Sequence, residues 1–397
     1  MDYTYDLCIV GGLGHIGLPM GITMAKAGKT VLLIDINPEA IKAVSTGIVP
    51  FMELGAEDSL KEVLNKTLFI SDSTGDIKLC RFIIIVIGTP VDEHLNPQFT
   101  IFKKLFLNLM ENITDTHHIV LRSTVYPGTT ERIRDFLLSQ GKRVSLTFCP
   151  ERIAEGKAME ELKSLPQIIG AFDDKSFNEA RELFGVLTED ILRLTPLEAE
   201  MTKLFTNVWR YILFSISNQF YQIATQNDVD FYKVYNAAVH HYPRMAGFAK
   251  AGFAAGPCLF KDTMQLAAFS NNNFFLGHAA MLINEGLPNF IVQRLRDSYN
   301  LKEKRVGILG MAFKGDIDDE RESLSYKLKK ILEFEAKDVL CTDPYVSDER
   351  LVPLNECIEA SEILILGAPH SNYRGLSIDK TKVVIDIWNF FGKGGYF

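Results

Sequence analysis

The 397-residue chain has no apolar run that approaches the roughly 18 residues a membrane-crossing helix needs. It also lacks a basic cluster or tail, and its formal charge of -8 argues against a nucleic-acid partner while leaving room for a local basic pocket that holds phosphate. Its six cysteines, Cys8, Cys80, Cys149, Cys258, Cys341 and Cys357, show no CxxC spacing. Neither a zinc site nor a disulfide framework is therefore expected, and no metal is. The opening "MDYTYDLCIV" is acidic and polar and passes straight into a short apolar run, the wrong shape for a signal peptide, so a cytoplasmic location is expected. At 47% hydrophobic and 23% charged residues the chain is too apolar for disorder. Its length suggests two or three domains at about 150 residues each.

What is present divides into three segments. In residues 1–196 the runs "YDLCIV", "TVLLID", "FIIIVIG", "HHIVLRS", "VSLTFC" and "PQIIGA" are short, apolar and rich in Val and Ile, and longer amphipathic stretches separate them. That is the pattern of βαβ units on a buried parallel sheet. In residues 197–300 the texture turns helical, beginning with "LEAEMTKLFTNVWRYILFSISNQFYQIATQ", which holds neither proline nor glycine and whose apolar residues fall at helical spacing. Strands return in residues 301–397 as "RVGILG", "DVLCTD", "EILILGA" and "KVVIDIW", echoing the first segment. The expected fold is α/β: two Rossmann-like parallel-sheet domains joined by a central helical domain, whose long apolar helix suits a homodimer interface.

The strongest local signal is "LCIVGGLGHIGLPMGITMAKAGKTVLLIDIN". A strand runs into Gly12, Gly14 and Gly17, spaced GxGxxG, then a helix, then a second strand ending at Asp35. The first glycine permits a tight turn, the second lets a pyrophosphate approach the backbone at the helix start, and the third lets helix and strand pack closely. Asp35 accepts hydrogen bonds from ribose hydroxyls in such sites and repels a 2′-phosphate. Ile36 and Asn37 bring no neutralising charge, so NAD is expected over NADP.

Residues 252–263 read "GFAAGPCLFKDT". The proline favours a first helical turn, which sets Cys258 at the positive end of a helix and so favours the thiolate. Asp262, four residues on, shares the helix face, with Lys261 beside it. Lys203 and Asn207 likewise share one face of the preceding long helix, flanked by Glu200 and Thr202. On an NAD-binding fold, a thiol and a carboxylate in one turn suit covalent capture of an aldehyde, so that a second hydride can leave the adduct. The other five cysteines sit in or near strand-like runs and read as packing. By itself, "GMAFKGDIDDERES", with Lys314 and Arg321, reads as a solvated loop or as the phosphate-binding end of a second nucleotide site.

Taken in order, "GGLGHIGLP", "GIVPFMELG", "IGTPVDEHLNP", "LRSTVYPGTT", "CPERIAEG", "EAEMTKLFTN", "YPRM", "CLFKD", "GMAFKGDIDDERES" and "DIWN" resemble the UDP-glucose/GDP-mannose dehydrogenase family, the nucleotide-sugar 6-dehydrogenases, over essentially the whole chain. The resemblance implies NAD on the first domain and the nucleotide sugar largely on the last. It implies that His15 and Ile16 beside the glycines, Thr89 and Pro90 of "GTP", and Ser123 and Thr124 contact the cofactor. Cys258 would be the nucleophile. Lys203 and Asp262 would hold an ordered water and stabilise charge on oxygen, Asn207 would orient the substrate, and Thr124 and Glu151 would join the same site. Glu151 would activate the hydrolytic water with Glu155 in support. Gly252, Phe253, Phe313, Lys314 and Arg321 would hold the nucleotide sugar, and Arg244 of "YPR" would reach it from a neighbouring subunit.

Three places depart from the family's pattern. "GFAAGPC" is one residue longer than "GFGGSC" and lacks its second glycine pair, Tyr126 replaces the usual proline, and Trp388 stands where arginine is common. "PER" in place of "PEF" points toward UDP-N-acetylhexosamines, which stand level with UDP-glucose as expected substrates and ahead of GDP-mannose. The rival readings are a two-electron alcohol or hydroxyacid dehydrogenase, indifferent to loss of Cys258, and a non-catalytic nucleotide-binding regulator, which would not need Cys258, Lys203, Glu151 and Asp262 all intact.

Overall fold

The computed structural model describes residues 3–88, 99–254 and 256–394. The chain divides into two units, Met1–Thr206 and Asn207–Phe397, and the division falls inside a single helix, Pro196–Gln226.

The first unit is built on an eight-stranded sheet: β1 Tyr5–Val10, β2 Val31–Ile34, β3 Leu68–Ser71, β4 Cys80–Ile85, β5 His118–Leu121, β6 Ser145–Phe148, β7 Gln167–Ala171 and β8 Ile191–Leu194, in the order β3-β2-β1-β4-β5-β6-β7-β8. Alternate residues of each strand serve opposite cores. Leu7, Ile9, Leu33 and Ile84 pack on one face, and Cys8, Val10, Leu32 and Ile85 on the other. Both faces are dry, which is why these strands read as continuous apolar runs without a polar-apolar alternation. The expectation of a parallel sheet needs one correction: β7 pairs antiparallel with β6. The β6–β7 connection, which carries the "CPERIAEG" loop and the helix Ala158–Ser164, feeds β7 back in the opposite sense and so reverses the sheet there. β3 and β8 are absent from the runs read off the sequence. They form the two edges of the sheet, where β3 fully buries only Leu68 and β8 keeps only half-buried positions at its ends, so neither carries the fully buried run of the inner strands.

The second unit holds a four-stranded parallel sheet, β9 Arg305–Leu309, β10 Asp338–Thr342, β11 Ile363–Leu366 and β12 Val383–Ile385, in the order β10-β9-β11-β12. A core including Tyr221, Phe253, Leu287, Ile291, Val306 and Ile308 joins this sheet to helical segments, among them Phe275–Ser298. The anticipated helical middle therefore packs as one body with the C-terminal strands. No helix among the described residues is long and apolar enough to cross a membrane.

Candidate functional site

In the first unit the glycine-rich turn joins β1 to the helix Gly17–Lys26. A methyl group on Gly12 would meet the Ile9 carbonyl oxygen at 2.7 Å, and one on Gly17 would meet the Gly11 oxygen at 2.6 Å and the Gly12 Cα at 2.7 Å. Gly14 is different, because a methyl group there would meet nothing within 4 Å. Two glycines thus serve close backbone packing and the third faces open space, which is the division of labour a pyrophosphate cradle requires. The left-handed residue of the turn is Gly11, at φ +79°, which the spacing argument passed over. Asp35 follows β2 and closes the cradle. Its Oδ2 accepts from Leu13 N at 3.0 Å and its Oδ1 from Ile36 N at 2.8 Å and Asn37 N at 3.1 Å. Asn37 caps the next helix through Glu39 N and Ala40 N. The His15 ring packs on Phe51 at 4.2 Å between centroids, and Ile16 is the residue preceding the helix. Ser123 Oγ donates to Ile87 O at 2.7 Å, beyond the ends of β4 and β5, with half-buried Thr124 next. The residues present fit NAD; Thr89 and Pro90 lie outside the described residues.

Glu151, near the start of the loop that follows β6, is almost fully buried and is bound on both oxygens. Oε2 accepts from Nε and Nη2 of Arg122, and Oε1 accepts from Arg152 N at 2.7 Å and Ile153 N at 3.1 Å. Arg122, itself fully buried, also donates to Cys149 O and to Gln167 Oε1 and lies over the Phe184 ring. The motif "LRSTVYPGTT" contains Arg122, but only folding brings it to a partner 29 positions away. Glu155 sits half-buried further along the same loop. That loop is pinned by Glu53, which accepts from Gly156 N at 2.9 Å and Met159 N at 3.2 Å, and this explains why "GIVPFMELG" and "CPERIAEG" occur together. Glu200 anchors "YPGTT" by accepting from Gly128 N, Thr130 N and Thr130 Oγ1; burial pushes its carboxyl above the ordinary range against those bonds.

Lys203 is buried in the long helix, one turn before Asn207. In the second unit Asn207 Nδ2 donates to Asp262 Oδ2 at 2.6 Å, with Lys261 Nζ 3.8 Å from Asp262 Oδ1. Asp262 is wholly buried, and its backbone N–H donates to the Cys258 carbonyl at 2.9 Å, closing the first turn of the helix Leu259–Phe269. Cys258 is the residue immediately before that helix and is the only exposed cysteine among the six. The others are packing, and burial pushes the Cys149, Cys341 and Cys357 thiols up to about 12, which makes them unreactive at neutral pH.

The loop before Cys258 lies between two aromatic rings. The Trp388 ring lies against Gly252, where a methyl group would sit 2.2 Å from it, and the Phe313 ring covers Gly256, which is at φ +109°. Two of the departures from the family pattern, the altered loop and Trp388, are therefore in contact. Phe253 is buried, and Gly252 N donates to Asn218 Oδ1 at 2.9 Å. Phe313 lies in the loop after β9, which closes through Phe313 N donating to Asp319 O. Lys314 Nζ stands 5.8 Å from the Phe313 ring centroid, and the Arg321 guanidinium is held on the Asp319 carboxylate with Nε at 2.9 Å from both oxygens. Arg244 is exposed on the short turn Pro243–Met245 and is not brought to these groups within the chain. Among the described residues no cluster of His, Cys, Asp and Glu could hold a metal ion.

A dinucleotide cradle, a second sheet with cationic loops at its carboxyl end and an exposed thiol at a helix start define an NAD-dependent dehydrogenase of nucleotide sugars. Comparison with known proteins agrees. Residues 6–188, 197–285 and 307–393 match in turn the NAD binding, central and UDP binding domains of the UDP-glucose/GDP-mannose dehydrogenase family, to which this chain belongs. It is 30% identical to a UDP-N-acetyl-D-mannosamine dehydrogenase of Pyrococcus horikoshii, over 94% of this chain and 93% of that protein. With the enzyme of the same name from Methanocaldococcus jannaschii it shares 27% identity over 98% and 93% of the two chains. Among solved structures, the UDP-D-ManNAc dehydrogenase of P. horikoshii superposes with a TM-score of 0.87 at 29% identity, covering 94% of this chain and 91% of that one. A UDP-glucose dehydrogenase of Pyrobaculum islandicum gives 0.89 at 26% identity, covering 97% and 94%.

Proposed function

We propose that this protein oxidises the C6 hydroxyl of a UDP-N-acetylhexosamine, UDP-N-acetyl-D-mannosamine first among them, to the uronate in a four-electron reaction that passes through a covalent adduct on Cys258. The observation that carries it is the exposed Cys258 at the start of a helix whose next turn presents buried Asp262, bound to Asn207. NAD, when bound, supplies the hydride acceptor for each of the two oxidations, and the Gly14 opening with Asp35 would hold it. The names of the similar proteins favour the acetamido sugar, as does "PER".

In this reading the C6 alcohol is first oxidised to an aldehyde. The Cys258 thiolate adds to the carbonyl carbon, forming a C–S bond and an alkoxide that the Lys203 ammonium stabilises. Loss of a second hydride leaves a thioester. Water then attacks it, the C–S bond breaks, the thiolate is regenerated and a carboxylate leaves. Asn207 orients the substrate, Lys203 and Asp262 hold the water, and Thr124 serves the same reaction. Glu151 takes the proton of the hydrolytic water with Glu155 in support. A carboxylate offers about four acceptor positions and Glu151 uses all of them, so it must release one bond, most simply Ile153 N at 3.1 Å, to do so. The nucleotide sugar is held by Gly252, Phe253, Phe313, Lys314 and Arg321.

The protein acts as a homodimer. Phe205, Trp209, Ile216, Phe220 and Ile223 are exposed along the long helix, an apolar stripe that a second copy of the same helix would cover. Arg244 would then enter the partner's site, consistent with its exposure. The chain divides functionally into 1–196, 197–300 and 301–397, and it acts in the cytoplasm.

The test is NADH formed per sugar consumed, with limiting UDP-N-acetylmannosamine, UDP-N-acetylglucosamine, UDP-glucose and GDP-mannose supplied separately. Two NADH from an acetamido sugar supports the proposal. One NADH would sink the covalent route and return Cys258 to packing, and none from any would favour a non-catalytic regulator.

A further inference from the structure

The second unit repeats a device of the first and then alters it. In the first unit Asp35 follows the second strand and holds the turn after the first through Leu13 N. In the second unit Asp343 stands at the same place after β10 and holds the turn after β9 more tightly. Its Oδ2 accepts from Met311 N at 2.6 Å and Ala312 N at 3.0 Å, and its Oδ1 from Tyr345 N at 2.8 Å and Val346 N at 3.0 Å. A fifth donor joins them, His370 Nε2 at 3.0 Å. With every acceptor position taken, Asp343 has none left for a ribose hydroxyl. The echo of the dinucleotide site thus cannot bind a ribose as the original does.

His370 is wholly buried beyond the end of β11, with the rings of Tyr345 and Tyr373 set edge-on at 5.2 and 5.5 Å. Its Nδ1 accepts from Asp316 N at 3.0 Å, so Nε2 carries the ring proton and donates to Asp343. Asp316 in turn receives Ser371 N at 2.7 Å and Ser371 Oγ at 2.9 Å, and it sits at φ +59°, a left-handed conformation uncommon outside glycine. One imidazole therefore ties together the loops that follow β9, β10 and β11, and the β9 loop is the one that carries Phe313 and Lys314.

We propose that His370 is a positioning residue for the nucleotide sugar: by accepting from Asp316 N while donating to Asp343 it fixes the 311–316 turn in the shape that presents Phe313 and Lys314 to the nucleotide diphosphate. The inference rests on the reading that this loop holds the nucleotide sugar. No atom of His370 needs to touch the ligand.

The experiment is calorimetric binding of UDP to the full-length protein, with NADH binding, which belongs to the other unit, as a fold control in each variant. His370→Leu removes both bonds, and His370→Asn keeps an acceptor at the Nδ1 position facing Asp316. His370→Leu should weaken UDP about tenfold, the worth of one hydrogen bond, with NADH affinity unchanged, and His370→Asn should recover most of the loss. Should the leucine variant not fold, His370→Gln, which can donate toward Asp343 but offers nothing to Asp316, replaces it with the same expected loss. UDP affinity within twofold of wild type in the leucine or glutamine variant, or an asparagine variant as weak as they are, would overturn the proposal while leaving the loop's ligand intact. Failure of the wild-type protein to bind UDP at all would instead remove the reading of the loop, and the proposal with it.

Discussion

Cys258 differs from the other five cysteines in one respect that matters chemically: solvent can reach it. Cys258→Ser keeps the shape but gives a far poorer nucleophile, so sugar-dependent NADH formation beyond the first equivalent should fall by roughly a thousandfold or more. Pre-steady-state NADH measurements check this, and full four-electron turnover by the serine variant would refute the covalent role. Asp35 binds the turn it adjoins as well as any ribose. Asp35→Ala should therefore weaken NAD by about ten- to a hundredfold, the worth of a charge-assisted bond, and relax discrimination against NADP; unchanged affinity for both cofactors would take Asp35 out of the site. Asp343 makes a prediction about pH. Burial alone would raise its carboxyl, but the bond from His370 and the N–H groups of Val346 and Tyr345 outweigh it and hold the group down at about 2. A carboxyl lower in the folded than in the unfolded chain stabilises the fold above its unfolded value, about 3.9, and that stability is lost as pH falls toward 2. Urea unfolding of Asp343→Asn should lack this part of the acid-side slope, and identical slopes in both proteins would contradict it.

At the scale of the element, the glycine-rich turn separates packing from ligand contact. Gly14→Ala should leave the melting temperature within about a degree of wild type, since the methyl group enters open space, yet cost NAD affinity by occupying the approach to the backbone. Gly17→Ala, which drives a methyl group into the Gly11 and Gly12 backbone, should lower both. Thermal melts and NADH titrations on the two variants separate the roles, and equal effects would show that the turn has a single function. The same logic makes sense of the loop before Cys258. Its glycines face Trp388 and Phe313, so the ring of Trp388 and the altered loop form one feature, and a change to either is felt by the other.

For the whole molecule, the exposed apolar stripe on Pro196–Gln226 is the surface proposed to meet a second copy. Trp209→Glu places a charge in its middle and should shift the protein from dimer to monomer in light scattering, whereas an unchanged mass would move the interface elsewhere. Much of this architecture was legible in the sequence, for a definite reason. Strands buried on both faces must be apolar throughout, a pyrophosphate cradle demands glycine at set spacing, and a thirty-residue helix announces itself by period. Hence the two sheets and the NAD-binding domain followed from residue order alone. The edge strands β3 and β8 did not, because they are half-solvated and lack the continuous burial of the inner strands. The antiparallel β7 did not, because strand direction leaves no mark on composition. Nor did the pairings of Arg122 with Glu151, Glu53 with the "CPERIAEG" loop and His370 with both Asp343 and Asp316. A sequence fixes which groups exist and which lie on one face of an element, because those depend on neighbours along the chain. Which buried charge meets which donor depends on where distant strands end, and only the tertiary structure decides that.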